Sequence, residues 1–262
     1  MEPIDRYRAP ALDKGLDILE LLADQAEGLT RGEIVKAMGR NPSEIYRMLE
    51  RLVARGYVSR HLGDRFALSM KLFVLATRIP YWRRLVTRAQ PLMDAYARDL
   101  QQSCHLVIPE GGFMVVIAQA SPIGTWEFRV KVGAQLPVLT SASGQTLMAF
   151  QQIDGLDEKL ALWGVAGQLQ AACAVQAAGE AVRAQGYREA PSAQLIGVQD
   201  LSVPILAHDG QAVGVLTSAY IARPTPTIIP PIEAARARLC EVARDISLSG
   251  GTRLTQAASD SN

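Results

Sequence analysis

Three cysteines and three histidines are all that 262 residues offer for thiol and imidazole chemistry. Cys104, Cys173 and Cys240 lie far apart, no pair has metal-ligand spacing, and an odd count argues against a disulfide framework. They read as buried thiols of a reducing compartment. No apolar run reaches membrane-spanning length, and the opening MEPIDRYRAP has no hydrophobic signal segment. The expectation is a soluble, cytoplasmic protein. Neither a GxxxxGK[ST] phosphate loop nor a GxGxxG fingerprint is present. The stretch SASG at 141–144 lacks the leading glycine of a nucleophile elbow, and nothing marks a Ser–His–Asp set. Cys104 and His105 are adjacent, so on a strand they point to opposite faces and form no dyad. His105 reads as a structural or pocket-edge histidine, and His61 and His208 fall in turn regions. No metal, no cofactor and no enzymatic activity are expected.

What is present is core-forming material, with 48% of residues apolar, and an uneven spread of charge under a net +1. Residues 1–90 hold 16 Lys+Arg against 11 Asp+Glu, a balance of +5; the remainder holds 11 against 15, a balance of −4. That split suggests two domains, the first with a polyanionic partner.

The first domain has a legible outline. APALDKGLDILELLAD carries Leu12, Leu16, Leu19 and Ala23 at helical spacing, flanked by Ile18 and Leu22. In TRGEIVKAMG, Thr30 and Glu33 form a capping box, Ile34, Val35 and Met38 an inner face, and Gly39 a stop. Then NPSEIYRMLERLVARG begins with Asn41 as N-cap and Pro42 at the first helical position. Ile45, Met48, Leu49, Leu52 and Val53 follow the i, i+3, i+4, i+7, i+8 pattern and make one buried stripe. Ser43, Arg47, Glu50 and Ala54 lie opposite it, with Glu44 and Arg51 on one flank and Tyr46 nearer the other. YVSRHLGDRFALS reads as a hairpin turning at LGD, with Arg60, His61 and Arg65 around its tip. Helix, capped helix, glycine turn, helix and hairpin are the outline of a winged helix-turn-helix over 10–68, after a flexible 1–9.

A helix of that kind fits the major groove of double-stranded DNA with its N-terminal residues at base edges. Ser43, Glu44, Tyr46 and Arg47 are placed for this: Arg47 to pair with guanine, Glu44 to accept from a cytosine amino group. Arg51, Arg55, Arg60 and Arg65 suit phosphates.

SMKLFVLATRIP over 69–80 reads as a linker helix, with Ser69 as a cap, Leu72, Leu75, Ala76 and Ile79 on one face, and Pro80 as its end. A long helix follows, with Pro91 inside it and Leu85, Leu92, Tyr96 and Leu100 as inner positions. CHLVIPEGGFMVVIAQAS is a hairpin around Gly111-Gly112. TWEFRVKVG alternates as a third strand, with Trp126 and Phe128 on one face. SASGQTLMAFQ is a loop feeding a helix; DGLDEKLALWG and AACAVQAAGEAVRAQGY are two more helices. QDLSVPILAHDGQAVGVLTSAYI is a hairpin turning at Asp209-Gly210, and IPPIEAARARLCEVARDISLS is a closing helix. Over 81–249 this is an α+β domain with one antiparallel sheet, before a disordered tail at 250–262. SASG opening a helix offers free backbone N–H groups and a positive dipole end to a carboxylate, worth ~1 kcal/mol.

Taken together, YRMLERLVARGYV, SASGQTLMAF, RAQGYREA and GVQDLSVPILAHDGQAVGVLTSA resemble the IclR-type bacterial transcription regulators, from about Leu12 to Ser247. The resemblance implies a profilin-like or GAF-like effector domain binding a small organic acid, keto or aromatic, and dimers or dimers of dimers on operator DNA, repressing or activating. It implies a pocket of Phe128, Ala142, Ser143, Ala190, Val198, Asp200, Thr217 and Ala219. The sequence departs from many members at Ala190, Asp200 and Ala219, where small polar groups are lost and a carboxylate is added. The alternative is a small-molecule-binding protein or hydrolase whose N-terminal bundle serves oligomerisation only.

Overall fold

The computed structural model describes residues 9–124, 128–222 and 230–248. The chain divides into two compact units between Pro80 and Tyr81.

The first unit runs α1 (Pro10–Ala23), β1 (Leu29–Thr30), α2 (Arg31–Met38), α3 (Pro42–Ala54), β2 (Val58–His61), β3 (Arg65–Leu68) and α4 (Lys71–Ala76). Local chemistry sets the helix starts. Thr30 and Glu33 make the reciprocal capping box of α2, which ends on Gly39 in the left-handed conformation at φ 60°. Asn41 caps α3 by accepting from the Ser43 N–H, and Pro42 follows it. The three strands form one antiparallel sheet in the order β1-β3-β2. β1 is a strand that the sequence did not announce. The core holds Ile18, Leu22, Ile34, Ile45, Leu49, Val58 and Phe66, with Met48, Leu52 and Val53 partly buried beside it.

Two expectations for this unit need correction. Only the C-terminal half of α1 meets the core: Ile18 and Leu22 are buried, while Leu12 and Leu16 stay 60% and 47% exposed. In α4 no residue is buried, so Leu72, Leu75 and Ala76, and Ile79 beyond it, are an exposed apolar stretch. Ser69 sits one residue before the N-cap Met70, and its hydroxyl accepts from the Lys71 N–H. Pro80 begins the following helix, where its missing N–H costs nothing.

That helix is α5 (Pro80–Leu100), continuous through Pro91. The second unit continues with β4 (Cys104–Glu110), β5 (Phe113–Ala120), β6 (Gln135–Pro137), α6 (Ala142–Ala149), α7 (Leu156–Leu162), α8 (Leu169–Ala178), α9 (Glu180–Gln185), β7 (Arg188–Pro191), β8 (Val198–Leu206), β9 (Ala212–Ile221) and α10 (Ile232–Leu248). Six strands form one antiparallel sheet, β6-β5-β4-β9-β8-β7. Both glycines of the β4–β5 turn have positive φ, as a two-residue hairpin loop requires.

Both sheet faces are covered. Cys104, Leu106, Ile108, Leu201, Val203 and Leu216 pack against α5 and α10 through Met93, Tyr96, Leu239 and Val242. On the opposite face Val107, Val116 and Val215 pack with Leu147, Leu156, Leu160 and Ala172 of α6, α7 and α8. Thus α+β with one antiparallel sheet is what the described residues of the second unit form.

The third strand is misplaced in the sequence reading. Residues 128–132 form no strand, and Gln135–Pro137 takes the edge instead, paired with Phe113–Val115. Trp126 lies outside the described residues, as do the tail at 250–262 and the first eight residues. AACAVQAAGEAVRAQGY is two helices, broken at Gly179, where a Cβ would press on Ala149. Residues 188–191, read as loop, are the edge strand β7.

Gly144 has the tightest surroundings of any glycine in the unit. A Cβ there would overlap the Val138 carbonyl oxygen, so the turn into α6 closes only on glycine. Gly144→Ala is expected to lower stability by about 3 kcal/mol, measured as a shift in urea midpoint with the slope unchanged.

Candidate functional site

The exposed face of α3 carries Ser43, Tyr46, Arg47, Glu50, Arg51, Ala54 and, at its C-cap, Arg55. Arg47, Arg51 and Arg55 make no ion pair among the described residues. The other predicted residues are already engaged. Glu44 accepts from Lys14 Nζ at 2.6 Å, and that hydrogen bond holds its carboxyl below the usual range. The Tyr46 ring lies under the Arg31 guanidinium at 5.6 Å. Arg60 pairs with Asp64 at 2.6 Å across the wing tip, both side chains about half exposed.

Arg65 does not project from the wing. Its guanidinium donates to the Glu27 carbonyl at 3.2 Å and the Gly28 carbonyl at 3.0 Å, bracing the turn before β1. Those two bonds engage Nε and Nη2, which leaves Nη1 alone for a phosphate. The Lys14–Glu44 and Arg65 contacts span 30 and 37–38 residues, beyond any local sequence signal.

In the second unit the register brings the predicted ligand residues together. Ala190 pairs with Asp200, and Asp200 with Ala219. Ser202 pairs with Thr217, and Val198 with Ile221. Residues directly opposite in an antiparallel pair share a face, as do i and i+2. Ala190, Val198, Asp200, Thr217 and Ala219 therefore occupy one patch. That patch faces α6: Ser143, its second residue, has its hydroxyl 3.0 Å from Thr217 Oγ1, which is also 3.0 Å from Ser202 Oγ. Ser141 caps α6 by accepting from the Gly144 N–H, which leaves the Ala142 and Ser143 N–H groups without an acceptor among the described residues. Phe128 joins Gln102, Ser103, Pro122, Ala219 and Ile221 around a cleft of about 20 Å³.

Asp200 is half-buried on this patch. Burial pushes its carboxyl up, while Ser192 and the Arg188 guanidinium pull it down. Arg188 was missed in the sequence: it pairs with Ser202, so it too points at the α6 side, whereas Glu189 points the other way and meets Arg236 of α10 at 2.8 Å. His105 pairs with Thr217, so a polar row crosses the sheet from His105 through Thr217 and Ser202 to Arg188. His105 is 5% exposed, and burial pushes its imidazole down to about 4. Only the strand order brings these four residues into line.

A winged helix-turn-helix followed by an α+β domain is the architecture of a regulator of transcription. The IclR helix-turn-helix domain matches residues 11–61, and the bacterial transcriptional regulator IclR C-terminal domain matches residues 82–248. The chain belongs to the IclR family of bacterial transcriptional regulators. It is 24% identical over 216 residues to the HTH-type transcriptional regulator KdgR of Escherichia coli (strain K12), covering 79% of this chain and 80% of that protein. Among solved structures it is similar to the IclR of Thermotoga maritima, with a TM-score of 0.69, 22% identity, and 92% and 98% of the two chains covered. It is also similar to an IclR homolog of Microbacterium hydrocarbonoxydans complexed with 4-hydroxybenzoate, with a TM-score of 0.72, 20% identity, and again 92% and 98% covered. Among the described residues no helix is long and apolar enough to cross a membrane.

Neutral burial of His105 has a consequence for stability. Its folded value lies below its ordinary one, so the unfolded chain takes up the proton first as pH falls. The associated stability is present in full above about pH 6.5 and is lost as pH falls towards 4, a total of about 3 kcal/mol. Urea unfolding at several pH values, followed by tryptophan fluorescence, checks this. The wild type is expected to lose stability over that window more steeply than His105→Gln.

Proposed function

We propose that this regulator binds double-stranded operator DNA through α3 and the wing, as a dimer or a dimer of dimers, and that the α6-facing patch senses a small organic acid, keto or aromatic. The observation that carries the DNA reading is the set of exposed, unpaired arginines on one face of α3. Arg47, one turn in from the N-terminus, is the base reader. Arg51 and Arg55 take phosphates. Arg60 joins them by exchanging the exposed Asp64 carboxylate for a phosphate, since such surface pairs hold with little energy. Ser43 and Tyr46 border the contact, and Glu44 acts through Lys14 as much as through any base. The exposed Leu12 and Leu16 of α1 and Phe73, Val74 and Leu75 of α4 are the apolar surface that a second copy of the chain would cover.

The acid reading rests on Ala142 and Ser143, whose N–H groups stand free at the positive end of α6 above Thr217. Phe128, Ala190, Val198, Asp200 and Ala219 complete the lining, and the 4-hydroxybenzoate of the Microbacterium relative is an acid of the proposed class. A cleft of about 20 Å³ holds about one water. Binding an acid of several carbons therefore opens the chain around Phe128, and that displacement is the signal available to the rest of the molecule.

Gel-shift titration against DNA from just upstream of its own gene tests the first part. Specific binding that falls steeply with salt is expected; equal affinity for unrelated DNA would overturn it. Arg47→Ala should cost ~1–3 kcal/mol and relax sequence preference, whereas Arg51→Ala should weaken all sequences alike and flatten the salt slope. For the second part, a small carboxylic acid should raise the melting temperature by binding the folded state. A broad acid panel without any shift would count against it.

A further inference from the structure

Between Asp64 and Asp94 the chain holds six basic residues and no acidic one. Two of the six are engaged: Arg65 donates to the Glu27 and Gly28 carbonyls, and Lys71 donates to the Arg55 carbonyl beside the Tyr57 ring. Arg78, Arg83, Arg84 and Arg88 make no ion pair among the described residues. The last three stand on α5, whose Trp82, Leu85, Val86, Ala89 and Met93 pack into the core of the second unit. At about 100° per residue, that packing turns Arg84 directly outward and sets Arg83 and Arg88 on its two flanks. Arg83 and Arg84 are exposed. Arg88 is half-buried, and its buried Nε has no hydrogen-bond partner among the described residues.

The helix itself gains nothing from this arrangement. Cations near its start oppose the macrodipole, and like charges four residues apart repel. No acidic residue stands in the first turn to offset them. The C-terminal half of the same helix shows the ordinary mixture of signs, with Asp94 accepting from Gln90 and Arg98 paired with Asp99. Three unmatched guanidinium groups on one outward face therefore weaken α5 and raise its attraction for a polyanion.

We propose that this face of α5 is a second DNA contact, which holds phosphates of the duplex flanking the base pairs that α3 meets. The inference rests on the reading of α3 and the wing as the operator-binding surface, and extends the contact beyond them. Arg84 and Arg88 lie one turn apart, about 6 Å along the helix axis. One strand of duplex DNA carries a charge about every 3.4 Å along its own axis, so neighbouring phosphates fall within reach of both. The guanidinium fork matches two phosphate oxygens at a time. Phosphates carry no sequence information, so the gain is the same for any flanking sequence.

The test uses the full chain and two duplexes from just upstream of its own gene. One is trimmed to the shortest length that still binds sequence-specifically; the other keeps about ten further base pairs, one helical turn, on each side. The wild type is expected to bind the longer duplex about ten-fold tighter, whatever the flanking sequence. Arg83→Gln/Arg84→Gln/Arg88→Gln should lose that gain, lower the salt slope on the longer duplex by about 2, and leave the trimmed duplex unaffected. Arg84→Gln alone should lower the slope by about 1, whereas Arg98→Gln, the same charge lost from the same helix, should leave it unchanged. Circular dichroism establishes folding; if the triple variant does not fold, Arg84→Gln decides, since that side chain faces away from the core. Equal wild-type affinity for the two duplexes, or a folded triple variant that keeps the full gain, overturns the proposal and leaves operator reading by α3 intact. Binding to phosphatidylserine vesicles that the triple variant loses, with its DNA affinity unchanged, assigns the face to a membrane and overturns it likewise. If the wild type does not distinguish its operator from unrelated DNA, both readings fall.

Discussion

The turn from Val138 into α6 closes so tightly that residue 144 has no room for a side chain, and the seating of α6 on the sheet depends on that closure. It seats the start of α6 close to β9, where Ser143 meets Thr217, and Thr217 in turn meets Ser202 on β8. Packing of Leu147 and Met148 deeper in the helix secures the other end. A helix held back from the sheet would part Ser143 from Thr217 and leave only the Thr217–Ser202 bond between the strands. Seated as it is, α6 completes that chain of hydroxyls and brings over the same patch two N–H groups with no acceptor among the described residues.

Features set by neighbouring residues were legible in the sequence. The Thr30–Glu33 box, the Asn41-Pro42 start, the Gly111-Gly112 turn and the Asp209–Gly210 turn each need only a few adjacent side chains, and each appears where expected. Features set by partners far along the chain were not. β1 exists only because β3 pairs with it, and β7 only because β8 does. Residues 128–132 alternate like a strand, but alternation records which side is apolar, not whether a neighbouring strand is there to bond. Phe128, Ala190, Val198, Asp200, Thr217 and Ala219 came from the family resemblance; the register explains why the five strand residues form a set, and Phe128 meets them only at the cleft beside Ala219. His105, Ser202 and Arg188 had no local signal, since each is an unremarkable polar residue until the strand order aligns it with the others.

The two faces of the sheet solve different problems. Towards α5 and α10 the strands present mostly aliphatic side chains, and burial of apolar surface joins the layers, with the Glu189–Arg236 pair and the Leu206 N–H to Ser247 hydroxyl bond beside it. Towards α6 the same strands present Ser202, Thr217, His105 and Arg188 in one row, which an ordinary core would have filled with valine or leucine. That substitution weakens the packing of the layer and makes its polar atoms available. Asp200 belongs to the same compromise. Burial raises its carboxyl, and only the Ser192 side chain and the more distant charge of Arg188 work against that.

In the N-terminal unit, net charge is a poor guide to which arginines reach DNA. Arg31 is held by Glu50, Arg40 by Asp17, Arg60 by Asp64 and Arg65 by two carbonyls. Arg47, Arg51 and Arg55, which make no ion pair among the described residues, lie on one stretch of α3 because the Ile45–Leu49 stripe turns the opposite side of the helix into the core. Among the described residues their guanidinium groups have no ion-pair partner, so an anion could meet them without first breaking such a pair. Glu44, in the first turn of the same helix, is by contrast tied to Lys14 of α1, so a base could meet its carboxylate only in competition with that ammonium.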